Sequence, residues 1–244
     1  MKELFIIAAG TFAGWVNVLA GGGSFLTLPA LTCTGLGIDV ANGTNRLAIL
    51  LQNIVATGRF IRAGMIELKR AFLISAILLS GALVGSSIAV SISKSLLKKI
   101  AGLLLLGILV FMLRNRDKLI QKDREKAGII IRILAFFGTG IYGGFIQAGV
   151  GFFLIYDLTC LEGMDVVEAN AYKVFSILIY TAVVIPIFVI AGKFDLLSGL
   201  ILSAANMLGA YLGTRTALKK GTRWVRWVLL IALGVSSILF ILGI

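Results

Sequence analysis

Histidine is absent from the 244 residues. That removes histidine metal ligands, Ser-His nucleophilic catalysis and an imidazole pH switch together. Cysteine is nearly absent too. Cys33 and Cys160 lie in apolar surroundings, form no metal-ligand spacing and read as small core residues. Charge is scarce: Asp, Glu, Lys and Arg make up 14% of the chain, against about 25% in soluble domains. Acids are scarcest, with 11 Asp and Glu against 23 Lys and Arg, for a net charge of +12. No nucleophile–base pair, no ATP-binding motif and no metal-ligand set stands out. The sequence therefore suggests neither an enzyme nor a bound cofactor or metal.

What is there is apolar. Hydrophobic residues make up 59% of the chain, and the mean hydropathy is +1.04. Several runs reach the ~20 residues that cross a bilayer, so the fold class expected is an all-α polytopic membrane protein. The basic residues cluster in short loops between these runs, as cytoplasmic loops do under the positive-inside rule. The partners expected are thus a small substrate and the lipid bilayer, with no nucleic acid; the sequence also allows a homodimer. Met1-Lys2-Glu3-Leu4 leads directly into an apolar run with no small-residue cleavage site, so the first segment is expected to be retained.

The chain carries an internal echo. Gly10-Thr11 matches Gly138-Thr139, an offset of 138 − 10 = 128. The same offset pairs Ala20-Gly21 with Ala148-Gly149, Gly23 with Gly151, Phe25-Leu26 with Phe153-Leu154, Ala41-Asn42 with Ala169-Asn170, and Gly81, Ala82 and Gly85 with Gly209, Ala210 and Gly213. This reads as two gapless repeats, 1–113 and 128–244, joined by a basic cytoplasmic linker over 114–127. Each repeat would hold a glycine-broken helix hairpin and three long transmembrane helices. The expected helices are 4–20, 24–36, 40–62, 70–92 and 95–113, then 128–147, 152–162, 166–191, 196–217 and 223–243.

Two topologies compete. If each hairpin re-enters without crossing, the halves are inverted, and Arg59, Arg62, Lys69, Arg70 and the Arg215–Arg226 cluster all fall inside with the linker. If each hairpin crosses, the halves are parallel, and the Lys219–Arg226 loop falls outside. Loop charge favours the inverted arrangement, a common transporter plan.

The breaks are the candidate site. Gly21-Gly22-Gly23-Ser24 and Gly149-Val150-Gly151-Phe152 interrupt apolar helices. Irregular backbone at membrane depth persists only inside protein or along a polar cavity. Partial helices starting at Ser24 and Phe152 would aim free N–H groups and the positive end of the helix dipole at one place, which suits a small anion. The competing reading is close helix packing, which suits Gly81, Gly85, Gly209 and Gly213.

Asn42, Asn45 and Arg46 open the long helix of the first half, followed by Gln52 and Asn53; Asn170 and Lys173 open that of the second. Amides and cations at membrane depth are costly and tend to be functional. The alternative for Arg46 and Lys173 is snorkelling to head groups. Asn17 and Gln147 lie just before the breaks and would line the same cavity. Glu162, Asp165 and Glu168 share one short loop and read as solvated.

Gly21-Gly22-Gly23-Ser24-Phe25-Leu26-Thr27-Leu28-Pro29-Ala30-Leu31, then Gly43-Thr44-Asn45-Arg46-Leu47-Ala48, resembles the TauE/SafE family of sulfite exporters and related permeases. Gly143-Gly144-Phe145 through Gly151-Phe152-Phe153 and the Gly192-Lys193-Phe194-Asp195 turn fit it too. The resemblance spans essentially the whole chain. Val150 interrupts the second glycine run, and Ala171-Tyr172-Lys173 replaces a commoner Gly-Thr-Ser/Asn type sequence.

The resemblance implies a multi-pass protein of the cytoplasmic membrane that moves a small, often sulfur-containing anion. The reading adopted is export of a small anion, sulfite or a related sulfur-containing anion, by alternating access around a midplane site. An anion channel, a thiosulfate or organosulfonate importer and a non-transporting assembly partner are the rivals. The candidate substrate-binding residues are Gly21, Gly22, Gly23, Ser24, Asn42, Asn45, Arg46, Gln147, Gly149, Gly151, Asn170 and Lys173.

Overall fold

In the computed structural model, residues 2–97, 100, 107 and 127–241 are described. The principal elements among them are α-helices: α1 (Lys2–Ala20), α2 (Ser24–Cys33), α3 (Ile38–Arg62), α4 (Leu68–Ser91), α5 (Ile129–Phe145), α6 (Val150–Cys160), α7 (Val166–Ile190) and α8 (Leu196–Ile241). The helix expected over 95–113 and the linker over 114–127 lie almost wholly outside the described residues. The helices expected at 196–217 and 223–243 are not separated by a loop. They join within α8 at a kink on one non-helical residue, Gly221, with φ 70° and ψ −173°. Glycine carries that backbone without a Cβ penalty.

Polarity is turned inside out relative to a soluble protein. Phe72, Leu73, Ile130, Leu134, Ile190 and Leu197 are exposed, while Asn42, Thr44, Asn45, Arg46, Gln52 and Asn53 are buried. Among the described residues three helical spans, Leu68–Ser91, Val166–Ile190 and Leu196–Gly221, are long and apolar enough to cross a membrane. At 25 residues α3 matches α7 in length. Its polar residues keep it off that roster and mark it as the inner helix.

Glycines bring helix pairs to backbone contact. A Cβ on Gly81 or Gly85 would overlap the Phe137 or Ile141 carbonyl, and one on Gly140 or Gly144 those of Leu78 or Ala82, so α4 and α5 interlock side by side. Gly209 does the same against Thr11, and Gly14 against Asn206, between α8 and α1. These pairings advance together along both helices, so α4 runs parallel to α5 and α1 runs parallel to α8.

Ion pairs identify the ends of the bundle. Glu162, just past α6, meets Arg132 near the start of α5 and Arg70 near the start of α4, each at 2.8 Å. The α5–α6 hairpin therefore begins and ends together. At the other end Asp39 lies 3.7 Å from Lys94 and 4.0 Å from Lys193. There α2 leads into α3, and α8, with α1 alongside, begins. The α1–α2 hairpin thus opens toward the Lys94/Lys193 end and the α5–α6 hairpin toward the Arg70/Arg132 end.

The acidic loop is not simply solvated. Glu162 is buried between its two arginines, and Asp165 caps α7 by accepting from the Val167 and Glu168 amides. A carboxylate bridging two guanidiniums keeps its charge satisfied as water is lost.

Candidate site where two broken helices meet

α1 stops at Ala20 because Gly21 turns left-handed, with φ 82°. Its N–H still reaches the Asn17 carbonyl at 2.8 Å. α2 restarts at Ser24. α5 ends at Phe145, and the chain then passes through Gln147 at φ 56° and Gly149 at φ 76°. α6 begins at Val150, two residues earlier than the Phe152 start expected from the sequence. Among the described residues Gln147 is the one non-glycine held at positive φ, a conformation that costs a side-chain-bearing residue about 1–2 kcal/mol.

The two breaks touch. A Cβ on Gly21 would overlap the Gly151 Cα, and one on Gly151 would overlap the Gly21 Cα. A Cβ on Gly22 would strike the Phe152 ring, and one on Gly23 the Ala13 carbonyl and the Asn17 side chain. At these positions the missing side chains thus make room for neighbouring protein. The N–H groups are another matter. The amides of Gly22, Gly23 and Ser24, and of Gly149 and Gly151, have no acceptor among the described residues.

Breaking α1 and α5 strands the carbonyls of their last turns. α7 and α3 cap them. Lys173 Nζ donates to the Asn17 and Val18 carbonyls, both at 2.9 Å, and to Asn170 Oδ1 at 2.7 Å; Asn170 Nδ2 donates to the Leu19 carbonyl at 2.9 Å. Arg46 donates to the Gly143 carbonyl at 3.1 Å and the Gly144 carbonyl at 2.6 Å, and Asn42 Nδ2 to the Phe145 carbonyl at 2.9 Å. A cation at the negative end of a helix is the favourable sign. The Arg46 guanidinium also stacks 4.3 Å over the Phe188 ring. Among the described residues no carboxylate pairs with Arg46 or Lys173.

The remaining residues divide around this junction. Asn45 turns away from Asn42 toward α2: its Oδ1 accepts from Thr27 Oγ1 at 2.7 Å, and its Nδ2 donates to Ser24 Oγ at 3.3 Å. Gln147 Nε2 donates to Thr181 Oγ1 at 3.0 Å, while its Oε1 has no partner among the described residues. The Asn42 Oδ1, Arg46 Nε and Tyr180 hydroxyl are buried and likewise unpartnered. A Cβ on Gly143 would lie 2.9 Å from that hydroxyl, so Tyr180 and Arg46 share one carbonyl's surroundings. A separate groove of about 640 Å³ between α4 and α5 is lined by Leu73, Ile77, Ile133 and Phe136 with Arg70, Arg132 and Glu162. Neither break contributes to it.

The model of the family described as sulfite exporter TauE/SafE matches residues 6–240. This chain belongs to the TauE/SafE family. A probable membrane transporter protein, YfcA, of Escherichia coli strain K12 is 29% identical over 238 residues, covering 96% of this chain and 87% of the relative. A probable membrane transporter protein, ORF9, of a Sinorhizobium species is 27% identical over 228 residues, covering 93% and 87%. A probable membrane transporter protein of Haemophilus influenzae is 26% identical over 223 residues, covering 91% and 87%. No solved structure matches. As a TauE/SafE protein the chain is a membrane transporter, not an enzyme.

Tyr180, Thr181 and Thr27 join the junction of this TauE/SafE protein without standing out in the sequence. The first two have a readable signal: they stand 128 residues after Gln52 and Asn53, the polar pair on α3.

Proposed function

We propose that this transporter carries a small anion, sulfite or a related sulfur-containing oxyanion, by alternating access around the contact between the two breaks. One observation carries the reading: Arg46 and Lys173 are buried cations with no carboxylate partner among the described residues, each capping the carbonyls of a helix end whose break goes on to backbone N–H groups without an acceptor. Buried unpaired charge is costly, and an anion at the junction offsets it from both sides.

Backbone amides of Gly22, Gly23, Ser24, Gly149 and Gly151 and the free Arg46 Nε would hold the anion. Asn42, Gln147 and Tyr180 would orient it. Gly21 lets the breaks meet. Asn45, Asn170 and Lys173 keep the broken helices in place around it. The sulfur chemistry rests on the family description.

Two sequence repeats of opposite orientation in the cytoplasmic membrane are the framework of this reading. The hairpins opening toward opposite ends of the bundle support it. The Arg59, Arg62, Lys69 and Arg70 end is then cytoplasmic. Export follows the membrane potential, which is worth about 2.3 kcal/mol per charge per 100 mV. Backbone contact between Gly21 and Gly151 favours a carrier over an open channel, because nothing passes there without the hairpins moving.

The test is thermal stability of the purified protein titrated with sulfite, thiosulfate, sulfate, chloride and acetate, followed by flux into liposomes. A ligand that binds the native state raises its apparent stability. A saturable rise with a sulfur oxyanion, matched by saturable flux, is expected. Equal response to every salt, with no flux, overturns the assignment.

A further inference from the structure

α3 carries polar groups well past the junction. Asn42, Arg46, Asn53 and Thr57 recur at intervals of four, seven and four residues, the spacing of one helical face. Each is at least nine-tenths buried, at 1%, 0%, 1% and 4% exposure. Each has a side-chain atom without a hydrogen-bond partner among the described residues: Asn42 Oδ1, Arg46 Nε, Asn53 Nδ2 and Thr57 Oγ1. Gln52, beside them and fully buried, has both amide atoms unpartnered.

A helix rises 1.5 Å per residue, so this file is about 22 Å long, most of a bilayer's hydrocarbon thickness. It ends at Arg59, whose guanidinium lies 4.3 Å over the Tyr211 ring, and at exposed Arg62. The apolar positions of the same face, Ile49, Ala56 and Phe60, are ordinary core.

Buried polar groups in native proteins are nearly always satisfied. Five residues with such exceptions between Asn42 and Thr57 are costly in a dry core. They are natural along a path that water and a hydrated solute use. Donors dominate it: Arg46 Nε, Gln52 Nε2, Asn53 Nδ2 and the Thr57 hydroxyl, with cationic Arg59 and Arg62 at the mouth. That chemistry favours an anion.

We infer that this face of α3 lines a hydrated passage between the junction and the Arg59–Arg62 end, and that Gln52, Asn53 and Thr57 conduct the transported anion along it. This rests on the transport reading above for the identity of the solute, but not for the presence of water.

The experiment is thiol accessibility in full-length protein, with Cys33 and Cys160 replaced by serine. Asn53→Cys and Thr57→Cys are exposed to a membrane-impermeant anionic methanethiosulfonate. Leu78→Cys, a fully buried position on α4, is the dry reference, and Ala63→Cys, exposed at the C-cap of α3, the accessible one. Modification of N53C and T57C at least tenfold faster than L78C is expected, and rates equal to L78C overturn the passage.

A second pair covers variants that fold poorly. In a dry core Thr57→Val and Asn53→Leu remove an unsatisfied group and raise thermal stability; that result also overturns the inference. Unchanged or lower stability with flux reduced at least tenfold is expected. Labelling does not depend on which anion binds, so failure of the sulfur-anion assignment and failure of the passage are read separately.

Discussion

The two helix ends at the junction are each capped by a cation and an asparagine and yet differ in what is left over. At α1, Lys173 has three donor protons, and three acceptors use them. At α5, Arg46 commits two nitrogens to carbonyls and keeps Nε idle. Asn170 places both amide atoms in hydrogen bonds, whereas Asn42 keeps its Oδ1 unpartnered among the described residues. The Lys173 side is saturated by the protein itself. The Arg46 side has capacity to spare, which is where the proposed anion would bind. Arginine suits that double duty, since its planar fork grips backbone on one edge while presenting another.

The breaks themselves invite the largest test. Gly21→Ala places a Cβ on the Gly151 backbone and forces a left-handed alanine. Overpacking costs about 1–3 kcal/mol, and the left-handed backbone about 1–2 kcal/mol more. Gly151→Ala suffers the overlap alone, since Gly151 is not among the positive-φ glycines. Gly35→Ala, at φ 102° with nothing within 4 Å, suffers the backbone term alone. Folded yield by size-exclusion chromatography should fall furthest for Gly21, with the other two between it and the parent. Equal yields for all three would show that the breaks do not depend on touching.

Next comes the exchange of roles between the cations. Lys173→Met strands the Val18 carbonyl and Asn170 Oδ1, at about 1–3 kcal/mol for each buried unsatisfied group. Its main effect should be a lower melting temperature. Arg46→Lys keeps the charge and can still serve the Gly143 and Gly144 carbonyls, but it removes the idle Nε. A hydrogen bond to a charged group is worth about 1.5–3 kcal/mol, so anion affinity should fall at least tenfold with little loss of stability. Sulfite-dependent melting shifts measure both. If Lys173→Met folds normally without binding, and Arg46→Lys binds as the parent does, then Lys173 holds the anion and Arg46 only caps its helix.

The helical membrane architecture and the positions of both breaks are legible in the sequence, because hydropathy and glycine runs are local signals. So are the amides and cations, because polar residues inside apolar helices stand out. What each polar group touches is not. Asn42 and Asn45 are three residues apart, the spacing of one face, yet Asn42 reaches α5 and Asn45 reaches α2. Neighbours of that spacing diverge when different helices pack on either side of the stripe. The glycines suggest openings for a ligand, and Gly21, Gly22 and Gly151 also make room for the opposite break, which no single segment can announce. The join at Gly221 is hidden because a run of basic residues looks like a loop whether the helix stops or only kinks. Glu162 looks solvated because its arginine partners lie 92 and 30 residues away.

The smallest effect expected separates the mouths of the two hairpins. The end of α6 is tied to the starts of α4 and α5 through Glu162. Among the described side chains no carboxylate ties the end of α2 to the start of α1. Burial works against the Glu162 charge, but the hydrogen bonds from Arg70 and Arg132 outweigh it and hold its carboxyl below the ordinary value of 4.5. A carboxyl lowered by folding contributes stability that is fully present above its unfolded value and is lost as pH falls through its folded one. Acid should therefore loosen the second hairpin before the first. Amide hydrogen exchange over residues 150–160 should rise below pH 4.5 relative to residues 24–33, with a melting temperature lower by a few degrees. Glu162→Gln should show the raised exchange at neutral pH and lose most of the acid dependence. If both hairpins loosen together in acid, or if the variant keeps the parent's profile, the asymmetry between the two mouths does not lie in Glu162.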